Sequence, residues 1–362
     1  MSPMPKRGIL EIAAYTPGKS RAAGVAQPIK LSANENPLGC SPAAREAYMA
    51  ASNGLHLYPD AKTSRLRAAI AAKFNLEPER LIFGAGSDEI FAVAAQTYLG
   101  PGDNAVQPEF GFAAWSIAVR ATGAEMRSAA EPSYVADVDT LLAAVDERTR
   151  IVFIANPANP TGTWLPFSEI ERLHDRLPRD VLLVLDGAYA ECAYGLEGYS
   201  DGLEWSRDKQ NVIVTRTFSK IYGLASLRIG WAYAAPAVAD AMNRIRLPFS
   251  VPSAGEAAAV AALADDAFVE RSVANVVQGR RELTNALRHM GLTTLDTAAN
   301  FVTVRFDDAA KVETELARRG LLVRHLANYN LPDWLRITVG IPTDQARLIE
   351  ALKEIVSAAP RQ

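Results

Sequence analysis

The chain alternates short apolar runs with longer stretches in which apolar residues recur at helical spacing. Strand-like runs fall at 81–83, 104–107, 125–128, 151–155, 181–185, 211–215 and 228–234. Most are nearly continuous in Val, Ile, Leu and Ala, as expected of strands buried on both faces. Amphipathic helical patterns lie between most of them, for example over 63–74 and 168–177. Ser41-Pro42 marks a helix start, with a hydroxyl cap and a proline at the first helical position. A second helix runs from Gly84-Ala85-Gly86-Ser87 through Leu99, with Ser87 as its expected cap. This alternation predicts an α/β fold with a three-layer, mostly parallel sheet.

Beyond Pro248 and Pro252 the pattern changes. An Ala-rich helical region covers about 254–290, followed by a strand at 301–306 and a helix at 309–319. Strands at 321–324 and 335–339 and a final helix at 343–357 complete a smaller α+β unit. Residues 1–30 are broken by Pro3, Pro5, Pro17, Gly18 and Pro28 and read as an arm packed on that unit. The expected domains are therefore 33–265, and 1–32 together with 266–362.

Composition narrows the class. The 362 residues are 49% hydrophobic and 22% charged, as in soluble globular proteins, and the net charge of −3 gives no argument for nucleic acid or an anionic membrane. No run approaches the roughly 18 apolar residues of a membrane helix. The two cysteines, Cys40 and Cys192, are far apart and fit no metal spacing, so free thiols in a cytoplasmic protein without a metal site are expected.

Ligands of such sheets sit outside the carboxyl ends of the strands, and the chemically notable residues cluster there. Gly84 to Asp88 follows one strand, 156–162 another, Asp186 a third, and Thr217 to Lys220 a fourth. A lone lysine is usually a solvated surface cation. Lys220, however, stands beside Thr217 and Ser219, with Arg228 eight residues on. Hydroxyls and a guanidinium hold a phosphate dianion, while an amine forms an imine with an aldehyde. Pyridoxal phosphate carries both groups. Glycines leading into the helix at Ser87 and Asp88 offer free backbone N–H groups to an anion, although an ordinary strand-to-helix turn reads the same way. Asp186 ends an apolar strand and needs a partner, either backbone amides or a pyridinium nitrogen. Tyr189 could donate to a phenolate or simply pack. The two Asn-Pro steps of N-P-A-N-P-T-G hold Asn159 on a sharply turned backbone. Phe110 could stack on an aromatic ring or sit in the core. Arg324 and Arg336 lie within apolar strands and call for anions.

Together KLSANENPLG, LYPD, GAGSDE, PEFGF, NPANPTG, Asp186 with Tyr189, TRTFSK, Leu227-Arg228-Ile229-Gly230 and LRITVG resemble the pyridoxal-phosphate-dependent aminotransferases of fold type I. The likeness is strongest to the histidinol-phosphate aminotransferase family and covers nearly the whole chain. The resemblance implies that Lys220 is the Schiff-base lysine and proton shuttle, and that Asp186 faces the pyridinium. It implies that Tyr189 and Asn159 meet the phenolate oxygen, and that Ser87, Asp88, Thr217, Ser219 and Arg228 hold the phosphate. Phe110 takes the place of a stacking aromatic that is usually tyrosine. Tyr58 is similar to a residue reaching the partner subunit's phosphate, which implies a homodimer. Tyr15, Arg324 and Arg336 resemble the substrate-end residues, with Arg336 as the main clamp. The chain departs from the family at Gly187, where Asp-Glu-Ala-Tyr is common, and around His325 to Tyr329.

The expectation is transfer of an amino group from L-histidinol phosphate to 2-oxoglutarate by a ping-pong course. Phenylalanine or tyrosine is the alternative amino donor, because an arginine clamps carboxylate and phosphate alike. A phospho-amino-acid decarboxylase on the same fold would share Lys220 and Asp186. A cofactor-sensing regulator would need a basic DNA-binding segment, and none is expected here.

Overall fold

The computed structural model describes residues 3–6, 8–13, 18–22 and 24–358. In chain order its strands are β1 (Ile29–Lys30), β2 (Leu81–Gly84), β3 (Asn104–Pro108), β4 (Glu125–Ala129), β5 (Thr149–Ala155), β6 (Leu182–Asp186), β7 (Val212–Thr217), β8 (Gly230–Ala234), β9 (Phe301–Arg305), β10 (Leu321–Leu322), β11 (Arg324–Leu326) and β12 (Leu331–Thr338). Among the described residues these form three sheets.

The largest has the order β2-β8-β7-β6-β5-β3-β4. Every ladder in it is parallel except the two made by β8. Its inner strands bury both faces, which is why they read as unbroken apolar runs. Alternate residues enter two different cores. Val152, Ile154, Leu183, Leu185, Val212 and Val214 face one, while Ile151, Phe153, Leu182, Val184 and Ile213 face the other. Helices Pro42–Ala51, Ser64–Phe74, Phe167–Arg176 and Ser253–Ala264 cover the first face, and Ser87–Tyr98, Ala113–Thr122 and Pro236–Ile245 the second. This is the expected three-layer α/β arrangement.

β9, β11 and β12 form an antiparallel sheet of order β11-β12-β9. A separate core, including Leu283, Val302, Leu316, Leu335 and Leu348, joins it to helices Asp266–His289, Ala309–Arg318 and Pro342–Ser357. The N-terminal arm docks here, with β1 pairing parallel to β10.

Four local expectations change. The helix after β2 has Gly86 as its N-cap, at φ 81°, so Ser87 is the first helical residue rather than the cap. The Ala-rich region is two helices broken at Asp265, whose side chain accepts the Phe268 amide at 3.0 Å and caps the second. The strand expected at 321–324 divides between two sheets, as β10 and β11. The run at 228–234 enters its strand only at Gly230, because Arg228 takes a left-handed φ of 52°.

Gly230 permits the closest approach in the larger sheet. A Cβ there would lie 2.3 Å from the Ser87 amide nitrogen and 2.4 Å from the Gly86 carbonyl carbon. Gly230→Ala therefore forces β8 and the start of helix Ser87–Tyr98 apart. It should cost about 1–3 kcal/mol of stability, the usual range for overpacking, read as a lower denaturant midpoint at unchanged m-value.

Candidate active site

A cavity of about 530 Å³ opens at the carboxyl ends of β5, β6 and β7 and extends to β11 and β12. Among the expected residues, Ser87, Asp88, Asn159, Asp186, Tyr189, Thr217, Ser219, Lys220, Arg228, Arg324 and Arg336 line it.

Asp186 is the last residue of β6 and pairs in register with Thr215 of β7. Its Oδ1 accepts the Thr215 hydroxyl at 3.0 Å and the Ala188 amide at 3.1 Å. Burial pushes its carboxyl up to about 7, against those two hydrogen bonds. A cation at this carboxylate would bring the value back down. Tyr189 lies against Phe301, and its hydroxyl accepts the Asn34 Nδ2–H at 2.9 Å. Burial pushes its phenol well above the ordinary tyrosine value.

Lys220 follows β7. Its Nζ donates to the Ala33 carbonyl at 3.3 Å and lies 5.8 Å from the centre of the Tyr189 ring. Burial first, and the Arg336 charge second, lower it from the ordinary 10.5 to about 8. Thr217 Oγ1 accepts the Ser219 amide at 3.1 Å, folding the turn that holds both hydroxyls. Arg228 reaches this turn because β8 runs opposite to β7 and so begins at the edge where β7 ends. Its guanidinium donates to Ser219 Oγ at 3.4 Å and pairs with Asp88 at 3.1 Å, beside the N-terminus of helix Ser87–Tyr98. A Cβ on Gly86 would come within 2.5 Å of that guanidinium, so the glycine keeps the approach open.

At the other end, Arg324 and Arg336 face each other in the β11–β12 register. Arg336 donates to Asn159 Oδ1 at 2.5 Å and to the Ser32 carbonyl at 3.1 Å. Arg324 donates to Asn328 Oδ1 at 3.3 Å. Two fixed guanidiniums suit a carboxylate or phosphate at this end.

Three expected residues stand elsewhere. Phe110 does not line the cavity. Its amide donates to Glu131 Oε2 and its ring stacks on Tyr134 at 5.7 Å, so the turn after β3 directs it away and presents Phe112 instead. Tyr58 is 84% exposed and stacks on Phe249, outside this chain's own cavity. Tyr15 lies outside the described residues. Asn34 and Thr215 were not anticipated, whereas Tyr329, which lines the cavity, belongs to the distinctive His325 to Tyr329 segment. Asn34, at φ 57°, bridges Tyr189 and Thr338. A left-handed asparagine in the polar SANEN loop was the available signal. Thr215 could have been found by pairing the two strand ends.

Behind the cavity, Arg216 is 2% exposed and ion-pairs with Glu191 and Asp201, each at 2.7 Å. A Cβ on Gly187 would press its Cδ at 3.0 Å. Gly187 thus lies close against the Arg216 stem, whose charge Glu191 and Asp201 balance.

The family model for aminotransferase class I and II matches residues 26–355. The chain belongs to the class I and II aminotransferase family. Similar members include "Histidinol-phosphate aminotransferase 1" of Caulobacter vibrioides, 52% identical over 98% of this chain and 99% of that protein. "Histidinol-phosphate aminotransferase" of Rhodospirillum centenum is 46% identical over 97% and 98%. Among solved structures, histidinol-phosphate aminotransferase from Sinorhizobium meliloti, in complex with pyridoxal-5'-phosphate, superposes with a TM-score of 0.85 at 29% identity, covering 93% of this chain and 92% of that one. The aminotransferase cavity described here fits such a group: a buried amine, a buried carboxylate suited to a cationic partner, and hydroxyls, a guanidinium and a helix N-terminus for a phosphate.

The lowered Lys220 value has a definite sign. The folded state favours the neutral amine, so protonation opposes folding, fully below about pH 8 and progressively less as pH rises towards the ordinary lysine range. In the cofactor-free protein, acylation of Lys220 followed by mass spectrometry should therefore have its midpoint near pH 8. A midpoint in the usual lysine range would refute the electrostatic account.

Proposed function

We propose that this aminotransferase exchanges amino groups between L-histidinol phosphate and 2-oxoglutarate, giving imidazole-acetol phosphate and glutamate in two half-reactions at one site. The observation that carries this reading is the register-paired Arg324 and Arg336, placed across one cavity from Lys220 and Asp186. The relatives at 46–52% identity along nearly the whole chain support it. The cofactor is pyridoxal 5'-phosphate, which when bound supplies an aldehyde for amines and a ring that withdraws electrons from the substrate carbon.

The roles of this chain's residues follow from chemistry and place. Lys220 holds the cofactor and then carries a proton to and from the substrate carbon, work suited to an amine poised near neutrality. Asp186 would pair with the ring nitrogen and keep it protonated, with Thr215 and the Ala188 amide fixing the carboxylate. Tyr189 and Asn159 serve the phenolate side. Ser87, Asp88, Thr217, Ser219 and Arg228 would hold the phosphate, and Phe112, which lines the cavity where Phe110 does not, would offer the ring an aromatic wall. Arg336, with Arg324, clamps the anionic end of the substrate. Residues 33–265 act as the cofactor-holding unit, and 1–32 with 266–362 as the smaller one that brings the arginines. The free cysteines accord with a cytoplasmic enzyme, and no helix of the described residues is long and apolar enough to cross a membrane.

The aromatic wall gives a specific reason to test phenylalanine and tyrosine as well. Tyr329 lines the cavity, and Tyr134 packs edge-on to Trp334 at 4.8 Å behind it. Stopped-flow spectra of the holoenzyme and paired kinetics should give a higher kcat/KM for L-histidinol phosphate than for either amino acid. The reverse order would move the substrate to the aromatic class, and CO2 release without 2-oxoglutarate consumption would replace transamination altogether.

The active form is a homodimer in this reading, with Tyr58 reaching the phosphate of the second copy. Its support is an exposed apolar surface around Tyr58 and Phe249, including Met49, Leu55, Leu57 and Leu247. Lys220→Ala and Tyr58→Ala, each impaired alone, should regain activity when unfolded and refolded together, because mixed dimers hold one intact site. No gain after subunit exchange verified by mass spectrometry would exclude a shared site.

A further inference from the structure

The turn at 131–134 joins three walls of the cavity without lining it. Glu131, 6% exposed, places Oε2 on the Phe110 amide at 2.5 Å, while Glu109 Oε2 accepts the Glu131 amide at 3.4 Å. The turns that end the neighbouring strands β3 and β4 are thus laced reciprocally, each side chain holding the other's backbone. The first of these turns carries Phe112 into the cavity. Tyr134 continues the linkage. Its ring stacks on Phe110 at 5.7 Å and meets Trp334 edge-on at 4.8 Å, two residues before Arg336 on β12. Its carbonyl accepts the Thr163 hydroxyl at 2.9 Å, at the end of the loop that carries Asn159.

This arrangement is costly to build. Ser133 and Tyr134 are consecutive non-glycine residues at φ 58° and 64°, a left-handed pairing that the surroundings must enforce. Burial pushes the Glu131 carboxyl up to about 7, and the neighbouring Glu109 charge adds to the shift. A neutral side chain would pack there at lower cost if filling space were its only task.

We propose that Glu131 and Tyr134 are positioning residues, setting the separation between Phe112, Asn159 and Arg336 through the amide lacing and the Phe110–Tyr134–Trp334 ring stack. The proposal rests on reading the cavity as the cofactor and substrate site. It adds a determinant of substrate fit that touches neither ligand.

The test uses holoenzyme carrying Glu131→Ala, Glu131→Gln and Tyr134→Leu. It measures KM and kcat for L-histidinol phosphate, pyridoxal phosphate affinity by absorbance titration, and thermal stability. Glu131→Ala should raise KM roughly five- to tenfold, the size expected for one buried hydrogen bond, with a smaller fall in kcat and weaker cofactor binding. Glu131→Gln keeps an acceptor for the Phe110 amide and should restore most of both. Tyr134→Leu keeps apolar volume but loses the ring stack, and should raise KM with near-normal cofactor affinity. Lower thermal stability with KM and cofactor affinity unchanged in Glu131→Ala and Tyr134→Leu would overturn the proposal. Should Glu131→Ala not fold, Tyr134→Leu decides alone. If the wild-type enzyme binds pyridoxal phosphate but does not turn over L-histidinol phosphate, the substrate reading fails, and the cofactor affinity of Glu131→Ala still decides this one.

Discussion

Strand β8 runs against both of its neighbours, and the site depends on that reversal. In a sheet whose other ladders are parallel, carboxyl ends gather at one edge, so only strand exits can contribute side chains there. A strand inserted in the opposite sense brings its entry to the same edge. Arg228 and the turn before Gly230 thereby meet Ser219, Asp88 and the start of helix Ser87–Tyr98. The close approach requires a bare backbone at Gly230, and the guanidinium requires one at Gly86. Direction of one strand and absence of two side chains together define the end of the cavity where Ser219, Asp88 and Arg228 meet.

Electrostatics at the centre follows from burial more than from pairing. Lys220 and Asp186 carry opposite charges when ionised, yet desolvation is the largest influence on both, driving one down to about 8 and the other up to about 7. Their ordinary values lie far apart, and the cavity brings them within reach of neutrality together. Groups in that condition change protonation at little cost, which suits a site that must pass a proton back and forth. The positive charge of Arg336 is felt across the cavity, as a secondary influence lowering Lys220.

The α/β fold was legible because two-sided burial writes itself as unbroken apolar runs, and because strand ends collect the polar residues that chemistry needs. Asp186, Lys220 and Arg336 could be chosen for that reason: each is a charged residue in or directly after an apolar strand. Phe110 follows a strand too, but packs on Tyr134 and does not line the cavity. Two phenylalanines stand two apart in Pro-Glu-Phe-Gly-Phe, and the choice between them is made by a turn whose amide is held by Glu131, twenty-one residues away. Nothing local encodes that. Ser87 shifted by one position because Gly86 can take φ 81° and cap the helix with its backbone alone. Asn34 and Thr215 escaped notice because their roles exist only across register: Thr215 beside Asp186, and Asn34 between Tyr189 and Thr338.

Gly187 bears on how Arg216 is held. Its bare backbone lies close against the Arg216 stem, while Glu191 and Asp201 clamp the guanidinium from the far side. A Cβ at 187 would sit 3.0 Å from Arg216 Cδ and 3.1 Å from the Thr215 carbonyl oxygen, so a side chain there asks its neighbours to give by a few tenths of an ångström. Releasing Glu191 or Asp201 to make that room would leave a buried cation short of one partner. The glycine thus spares a tightly paired cation any adjustment.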